Sequence, residues 1–354
     1  MTYKPATGLS QKQIEKEVSR QAVLFEEELK KGHNISSMKF SDFFEKWLVD
    51  YAQIKLKKST LSKYEISKKR VFEHFGHLRI DKITPVDVQS FVSKLVASGF
   101  ATNYVKGYVR LVSVVLNYAV KKRLLTYNLC TTVDYPRNVV GERCMYKLEE
   151  AKEFLSVLQD LPDSQLSFKA YFTLLMYTGA RKGELLALQW SDVDFKNKSI
   201  FINKGYYYSH FDNESYVDTP KNTSSIRTIK LSDTPMQVLT ELAAWQEENL
   251  KTSLDTNNGY LFVSMRSAKV GKPMSVGAPN EWLRKFCERN NMKHVTVHSF
   301  RHFTASALIN SGIDVVSVQH LLGHSTPAVT LSTYSHAFGD KENKTKDAVA
   351  SILG

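Results

Sequence analysis

Apolar residues recur every three to four positions through most of the chain, a spacing typical of amphipathic helices. Residues 10–31 are predicted to form one helix, which Ser10 can cap and Gly32 ends. Four further helices are predicted in residues 38–137, and they begin near Phe40, Ser59, Thr84 and Thr102. We therefore expect a small helical domain in this part of the chain.

Two features of this domain have a direct physical reading. Thr84 is a capping residue, and Pro85 follows it at the first helical position, which is a strong signal for a helix start. The first helix carries an aromatic stripe at helical spacing. A stripe of this kind more often packs in a core than stacks on bases, so we expect it to be buried. Its aromatic members are Phe40, Phe43, Phe44, Trp47 and Tyr51.

The pattern breaks at residues 134–137, where Pro136 and the polar residues after it predict a linker. Apolar and polar residues then alternate as in β-strands at residues 199–203 and 226–231. The segment between these strands, with Tyr206 to Tyr208 and the turn-forming pair at 212 and 213, is expected to be a loop. Helices are predicted at residues 147–161, 166–177, 236–250, 278–290 and from 299 onward. The fold class is therefore mainly α with a small β-sheet.

Composition excludes several classes of protein. The 354 residues include 42% hydrophobic residues but only 16 Gly and 9 Pro, which excludes wholesale disorder and fibrous structure. Cys130, Cys144 and Cys287 have neither the pairing of a disulfide scaffold nor the spacing of a zinc site. The sequence has no run of 18 apolar residues and no signal peptide, so we expect a soluble cytoplasmic protein without a membrane partner.

The positive charge is concentrated in one part of the chain. Of the net charge of +12, residues 38–137 supply +10, from 18 basic and 8 acidic side chains, whereas the segments before and after supply +1 each. A local basic field attracts polyanions, of which nucleic acid is the commonest inside a cell. The alternative is a solvated basic surface that serves only solubility.

Four short motifs in the second half of the chain suit phosphate chemistry. Taken singly, each has an ordinary explanation, such as a charge at a helix end or two residues that share a helix face. Their combination and order favour catalysis. They are TGARKGE at residues 178–184, TPKNTSSIR at 219–227, HSFRH at 298–302, and LGH at 322–324 followed by Tyr334.

Together these motifs contain the active-site series of the tyrosine recombinases, the lambda-integrase family, which the chain resembles over roughly residues 38–340. The resemblance is greatest to integrases of conjugative transposons and temperate phages of Gram-positive bacteria. The catalytic residues it implies are Arg181, Lys221, His298, Arg301, His324 and Tyr334.

The resemblance also implies a domain plan. Residues 38–137 would form a helical core-binding domain of the SAM-like type, and residues 138–338 an α+β catalytic domain. Residues 1–37 would be a helix that is a remnant of, or a linker from, an arm-binding domain. Residues 339–354 would be a tail that docks on a neighbouring protomer, with packing in cis as the alternative.

The residue types suit a transesterification at a phosphodiester. Arg181 and Arg301 can neutralise the non-bridging oxygens, because a guanidinium stays charged and can grip a phosphate with two hydrogen bonds. His298 and His324 can add imidazole donors. Tyr334 would attack phosphorus, and since a free phenol has a pKa of about 10, it needs positive surroundings or a neighbouring base.

Two further roles come from the resemblance alone. Lys221 would lie on a mobile hairpin and protonate the leaving 5′-oxygen as general acid. Glu184 would support the site through hydrogen bonds, without moving a proton. No metal or nucleotide cofactor is expected, since the sequence has neither a P-loop nor the acidic cluster of a two-metal enzyme. His302 and His336 are expected to serve packing or local hydrogen bonding.

The expected partner is double-stranded DNA at attachment or crossover sites, bound by a homotetramer that associates with the bacterial nucleoid. An excisionase and DNA-bending proteins are possible accessory partners. Phosphate contacts are predicted for Lys57, Lys58, Lys63, Lys68 and Lys69. Contacts to base edges or backbone are predicted for Thr102, Asn103, Lys106 and Arg110.

The leading hypothesis is therefore a site-specific recombinase that integrates and excises a mobile element. One alternative is a Xer-like resolvase of chromosome dimers or a type IB topoisomerase-like enzyme. Another is a DNA-binding regulator that kept the fold without the activity. The long leading helix and the insertion at residues 206–219 favour the mobile-element group, and the six intact active positions disfavour the regulator.

Overall fold

The computed structural model describes residues 11, 14–20, 37–137, 144–220, 222–249, 259–264 and 272–334. The chain divides into two compact units. The first comprises Met1–Gly141 and Ser209–Asn213, and the second comprises Glu142–Tyr208 and Glu214–Gly354. Of the helix predicted at residues 10–31, positions 11 and 14–20 are helical, while Ser10, Gly32 and the other positions lie outside the described residues.

The first unit is helical, and each of its four predicted helices is present. The first helix continues into a π-helical turn, Leu48–Ala52, and a short α-helical turn, Gln53–Lys55. The second helix begins at Lys58, one residue before the predicted start. The four helices are α1 (Phe40–Trp47), α2 (Lys58–Phe75), α3 (Pro85–Ala97) and α4 (Thr102–Lys121).

The aromatic stripe of α1 forms the core of this unit, as predicted. Phe40, Phe43, Phe44 and Trp47 are each at most 1% exposed. Burial of a side chain of this size contributes about 1.5–3 kcal/mol. The ring of Phe44 meets that of Phe72 edge to face, with centroids 5.1 Å apart. These four rings therefore join α1 to α2 through packing and are not available for base stacking, whereas Tyr51, in the following turn, is partly buried against the same core.

The start of α3 confirms the capping prediction. The backbone N–H of Asp87 donates to the Thr84 hydroxyl at 3.3 Å, and the backbone N–H of Thr84 donates to the Asp87 carboxylate at 2.8 Å. This reciprocal pair satisfies two backbone donors that a helix start otherwise leaves without partners. Pro85 lies at the first helical position, where its missing N–H costs nothing.

The second unit combines eight described helices with five short strands. The helices are α5 (Leu148–Gln159), α6 (Leu166–Thr178), α7 (Lys182–Leu186), α8 (Asp233–Asn249), α9 (Ala278–Arg289), α10 (Val297–Asn310), α11 (Val315–Leu322) and α12 (Pro327–Tyr334). The strands are β1 (Val193–Asp194), β2 (Ser199–Ile202), β3 (Gly205–Ser209), β4 (Glu214–Asp218) and β5 (Arg227–Lys230).

The two predicted strands are β2 and β5, and they pair antiparallel with Ile200 opposite Ile229. Strand β1 adds to the other edge of β2, which gives the order β1-β2-β5. The predicted loop between β2 and β5 is wrong, since it contains the two-stranded sheet of β3 and β4. Consecutive tyrosines have high β-propensity, and Asn213 takes a left-handed φ of 54° in the turn.

Helix α6 lies at the centre of this unit, and ten of its 13 residues are buried. Phe172 stacks on Trp282 with centroids 4.8 Å apart. The helix ends at Gly179, whose φ is 59°. A Cβ at this position would lie 2.8 Å from Cδ2 of Leu322, so only glycine lets the end of α6 approach the end of α11 so closely.

None of the described helices combines the length and apolar character needed to cross a membrane. The three cysteines carry free thiols. Within the described ranges, no cluster of three or more His, Cys, Asp or Glu side chains is arranged to hold a metal ion.

Candidate active site

Three arginine side chains meet at the C-terminal end of α11. Arg227 Nε donates to the carbonyl oxygen of residue 321 at 2.6 Å, Arg301 Nη2 to that of residue 322 at 2.8 Å, and Arg181 Nη2 to that of residue 323 at 3.2 Å. The last carbonyls of a helix lack intrahelical partners and form the negative end of its dipole. Three guanidinium groups therefore cap this helix end, directly before His324.

Arg181 is held in place by the helix that it begins. It is the N-cap residue of α7, and its backbone N–H donates to Glu184 Oε2 at 2.9 Å. Its Nη1 donates to Glu184 Oε1 at 2.6 Å. The Arg181 side chain is 38% exposed, whereas that of Glu184 is 4% exposed. A buried carboxylate thus orients a guanidinium that stays accessible from solvent.

Glu184 also binds Arg227, whose Nη2 lies 3.0 Å from Oε2. Burial by itself would raise the pKa of Glu184, but the charges and hydrogen bonds of Arg227 and Arg181 outweigh it and hold the pKa below its ordinary value. The carboxylate is therefore ionised at neutral pH. With the charge of Arg301, three positive groups and one negative group leave the cluster a net charge of +2.

Arg301 and His298 come from one helix, α10. Thr296 caps its start by accepting a hydrogen bond from the backbone N–H of Ser299 at 3.2 Å. Arg301 is 2% exposed, and its Nη1 donates to the carbonyl oxygen of Gly179 at 2.8 Å. This one guanidinium therefore joins the end of α6 to the end of α11. His298 is exposed, and its ring meets that of His302 at 4.6 Å.

His324 follows the capped helix end and is 9% exposed. Its Nδ1 lies 2.8 Å from the hydroxyl of Thr330 on α12. Burial, followed by the positive charges of the three arginines and of His298, lowers the pKa of His324 to about 4. The imidazole is therefore neutral at physiological pH. It can donate a hydrogen bond, but it carries no positive charge.

A cavity of about 540 Å³ opens between β5 and the end of α11, and both Arg227 and His324 line it. A group that enters this cavity therefore meets the positive charge of the cluster. His320, at the last turn of α11, lines the same cavity and is exposed.

The low pKa of His324 predicts a pH-dependent stability. As the pH falls from 6.5 towards 4, the unfolded chain takes up a proton that the folded chain excludes, so the free energy of unfolding decreases in this window. Between pH 7 and pH 5 the expected decrease from this group is about 1–2 kcal/mol. Urea unfolding at both pH values measures it.

His324→Asn should remove this part of the pH dependence, and the exposed His320→Asn serves as the matched control. A wild-type difference that His324→Asn leaves unchanged would contradict the assignment.

Two predicted catalytic residues are not described with their side chains. Lys221 lies outside the described residues, as do His336 and the tail at residues 339–354. Tyr334 is the last residue of α12, and its side chain lies outside the described part of the structure. The structure therefore brings together Arg181, Glu184, Arg301 and His324, with His298 within electrostatic reach.

The residues of the first unit that are predicted to contact DNA differ in their exposure to solvent. Most are exposed on α2, on α4 or just before α2, and these are Lys57, Lys58, Lys63, Lys69, Asn103, Lys106 and Arg110. Lys68 instead pairs with Glu45 at 2.6 Å and lies over the rings of Phe44 and Phe72.

Thr102 departs furthest from the expectation. Its side chain is buried, at 8% exposed, and its hydroxyl donates to the carbonyl oxygen of Arg137 at 3.4 Å. The Thr102 side chain packs against its own chain, which disfavours a direct contact with DNA.

Sequence reasoning assigned no role to Arg227, although this residue ends one of the four motifs, and it missed Thr330. Arg227 lies two residues before the buried Ile229 on one strand, so the period of two places both on the inner face. This alternation indicates that Arg227 faces inward, but an arginine in a short strand normally faces solvent. Thr330 is an unremarkable helical threonine until its contact with His324 is known.

Comparison with known proteins identifies the family to which the chain belongs. Residues 146–340 match the Phage integrase family, and residues 39–96 match the N-terminal SAM-like domain of phage integrases. Since the first match spans more than half of the chain, the protein belongs to the phage integrase family. The resemblance and the fold class inferred from the motifs are thereby confirmed.

The chain is similar to integrases of mobile elements. It is 28% identical to the ICEBs1 integrase of Bacillus subtilis (strain 168) over 296 residues, which cover 82% of this chain and 77% of that protein. It is 25% identical to the transposase of transposon Tn916 of Enterococcus faecalis, with 76% of this chain and 67% of the relative covered.

Two solved structures share the fold. The Tn1549 transposon integrase in complex with a circular intermediate DNA superposes with a TM-score of 0.74 at 20% identity, covering 88% of this chain and all of that one. A lambda integrase dimer bound to a core site gives a TM-score of 0.62 at 15% identity, with 86% and 80% covered.

Proposed function

We propose that this protein is a site-specific DNA integrase that integrates and excises a mobile element through a 3′-phosphotyrosyl intermediate and a Holliday junction. The observation that carries the proposal is the cluster of Arg181, Arg227 and Arg301 on one helix end, directly before His324. Such a cluster suits an anionic group that gains charge during reaction. The named relatives, an ICEBs1 integrase and a transposon transposase, support the mobile-element role.

The cluster stabilises charge on the phosphorus centre. In-line attack on a phosphodiester concentrates negative charge on the non-bridging oxygens. Arg181 reaches them from its exposed side, and the buried Arg301 adds its field in a medium of low dielectric constant. His324, neutral at pH 7, and His298 add hydrogen bonds. The hydrogen bonds that hold the guanidinium groups are made to groups of the protein itself, which fixes their positions relative to His324.

Tyr334 supplies the nucleophile. Its phenolic oxygen forms a bond to phosphorus while the bond from phosphorus to the 5′-oxygen breaks. The phenol passes its proton to a neighbouring imidazole or to solvent, and the Lys221 ammonium gives one to the leaving 5′-oxygen, so one proton is released for each one taken up. The phosphotyrosyl ester keeps the energy of the broken ester, and the 5′-hydroxyl of a second strand reverses the step. Neither a nucleotide nor a metal is required by this scheme.

The first unit binds DNA through its net positive charge and through the exposed residues of α2 and α4. A homotetramer on two DNA segments fits the exchange of four strands, and a lambda integrase tetramer bound to a Holliday junction has a similar fold, with a TM-score of 0.61. The tail at residues 339–354 would dock on a neighbouring protomer. An excisionase and DNA-bending proteins would set the direction of the reaction.

A suicide substrate tests the proposal. Duplexes that bind the full chain are first selected from a random-sequence library, and the selected duplex is then nicked near the cleavage position so that the released strand diffuses away. We expect a covalent protein–DNA adduct that survives denaturing electrophoresis. Binding without any adduct would instead identify a DNA-binding regulator.

Substitution of Gly107 tests whether α4 contacts DNA through the face that carries Lys106 and Arg110. This glycine lies in the interior of α4 between the exposed Lys106 and Arg110, and a Cβ there would meet nothing within 4 Å. Glycine in a helix costs about 1 kcal/mol relative to alanine, so Gly107→Ala should raise the free energy of unfolding. If this face meets DNA, the added methyl group should weaken binding of the selected duplex severalfold.

The control is Ser93→Ala, at an exposed position of α3. It should also stabilise the fold slightly, because alanine has the higher helix propensity, but it should leave DNA affinity unchanged. Thermal unfolding and fluorescence anisotropy measure the two quantities. A Gly107→Ala variant that binds as tightly as the wild type would show that α4 does not closely approach DNA.

A further inference from the structure

The hydroxyl of Thr330 has an unusual partner for a buried helical threonine. Thr178, which is also fully buried in a helix, donates to the backbone carbonyl four residues earlier, the ordinary arrangement in a helix. Thr330 is fully buried, and its Oγ1 lies 2.8 Å from His324 Nδ1. Among the described residues this imidazole is its hydrogen-bond partner.

This contact constrains where the hydrogen of the neutral imidazole resides. A buried hydroxyl hydrogen needs an acceptor, and Nδ1 is the acceptor within reach. If the hydroxyl donates to Nδ1, that nitrogen carries no hydrogen, and the neutral ring carries it on Nε2. The reverse arrangement would leave the hydroxyl hydrogen buried without an acceptor, which is unfavourable.

We propose that Thr330 is a positioning residue that holds His324 in the Nε2–H tautomer and so makes it a fixed hydrogen-bond donor to the scissile phosphate. The inference rests on the proposed integrase function. Arg181 and Arg301 hold the backbone just before His324, and Thr330 holds the ring. The same bond joins His324 to α12, the helix that ends at Tyr334.

The charges around the imidazole agree with this role. Arg181, Arg227, Arg301 and His298 all disfavour a protonated His324, and burial disfavours it further. A ring that cannot take up a second proton near pH 7 serves best as a donor of constant charge. Its ability to donate a hydrogen bond to the phosphate then depends on which ring nitrogen carries the hydrogen, and the Thr330 hydroxyl determines this.

The direct test determines which tautomer the His324 ring adopts. Spectra of the full chain with ¹⁵N-labelled histidine, without DNA, report which ring nitrogen carries hydrogen, and a His324→Asn spectrum assigns the signals. The wild type should show hydrogen on Nε2 alone. Thr330→Val keeps the shape of the side chain but removes the hydroxyl, and it should give a mixture of tautomers. Thr330→Ser keeps a hydroxyl and should restore the wild-type signals.

The activity test uses the nicked selected duplex at saturating concentration. Partners that orient metal-ligating histidines are worth about 10- to 100-fold in activity. We expect a factor of the same size here, so Thr330→Val should slow adduct formation while the Kd for the duplex is unchanged. Thr330→Ser should restore the rate. A simple packing role would not make the rate follow the hydroxyl in this way.

Two results would overturn the inference. One is a wild-type spectrum with hydrogen on Nδ1. The other is a Thr330→Val variant that keeps the single Nε2–H signal and the wild-type rate. Failure of the integrase proposal looks different, because the wild type would then form no adduct, while the tautomer could still be read without DNA.

Discussion

Replacing Arg301 with lysine should slow formation of the phosphotyrosyl adduct by about 100- to 1000-fold. The Arg301 guanidinium donates to the carbonyl oxygens of Gly179 and Leu322 at once, each at 2.8 Å. A lysine ammonium is a compact charge without this planar fork, so it cannot hold both helix ends and present the same charge to a phosphate. Single-turnover cleavage of the nicked selected duplex measures the rate.

Arg284→Lys is the matched control, since Arg284 is half exposed on α9 and pairs with Glu288. It should cleave at the wild-type rate. The Kd for the duplex separates lost chemistry from lost binding, and circular dichroism verifies that the variant is folded. A folded Arg301→Lys protein that cleaves as fast as the wild type would contradict the role of Arg301.

Replacing Tyr334 with phenylalanine should abolish the adduct and leave DNA affinity unchanged. The change removes one oxygen, the proposed nucleophile, and phenylalanine offers no atom that can attack phosphorus. No other variant considered is expected to have so large an effect. Denaturing electrophoresis of the nicked duplex measures the adduct, and fluorescence anisotropy measures binding.

Tyr127→Phe provides the comparison, because Tyr127 is a half-exposed tyrosine of the first unit. It should form adduct at the wild-type level. If Tyr334→Phe still forms a covalent adduct, a different nucleophile acts, and if it loses binding to the same extent as cleavage, Tyr334 has a structural role.

The helices and the family were accessible from the sequence because their signals are local. Helical spacing, the Thr84–Pro85 start and the order of the motifs each need only a few neighbouring residues. The convergence of Arg181 and Arg301 on one helix end is different. It depends on tertiary packing, in particular on the close approach that Gly179 permits between α6 and α11.

The errors have equally specific causes. The segment that forms the β3–β4 hairpin is predicted to be a loop with a turn at residues 212 and 213, although its consecutive tyrosines have high β-propensity. Thr102 is predicted to reach DNA from α4, but its side chain is buried and its hydroxyl donates to the carbonyl oxygen of Arg137, a contact that the local sequence pattern does not reveal. Arg227 was overlooked because a charged residue in a strand is usually solvated, whereas here it pairs with buried Glu184.

In the proposed reaction the Tyr334 hydroxyl, next to the positive cluster at the end of α11, becomes joined to the 3′-phosphate of the cleaved strand. Mass spectrometry of the trypsin- and nuclease-treated adduct identifies the joined residue. We expect a nucleotide joined through its 3′-phosphate to the peptide that contains Tyr334. A nucleotide on any other residue, or one joined through its 5′-phosphate, would show that this reaction does not occur.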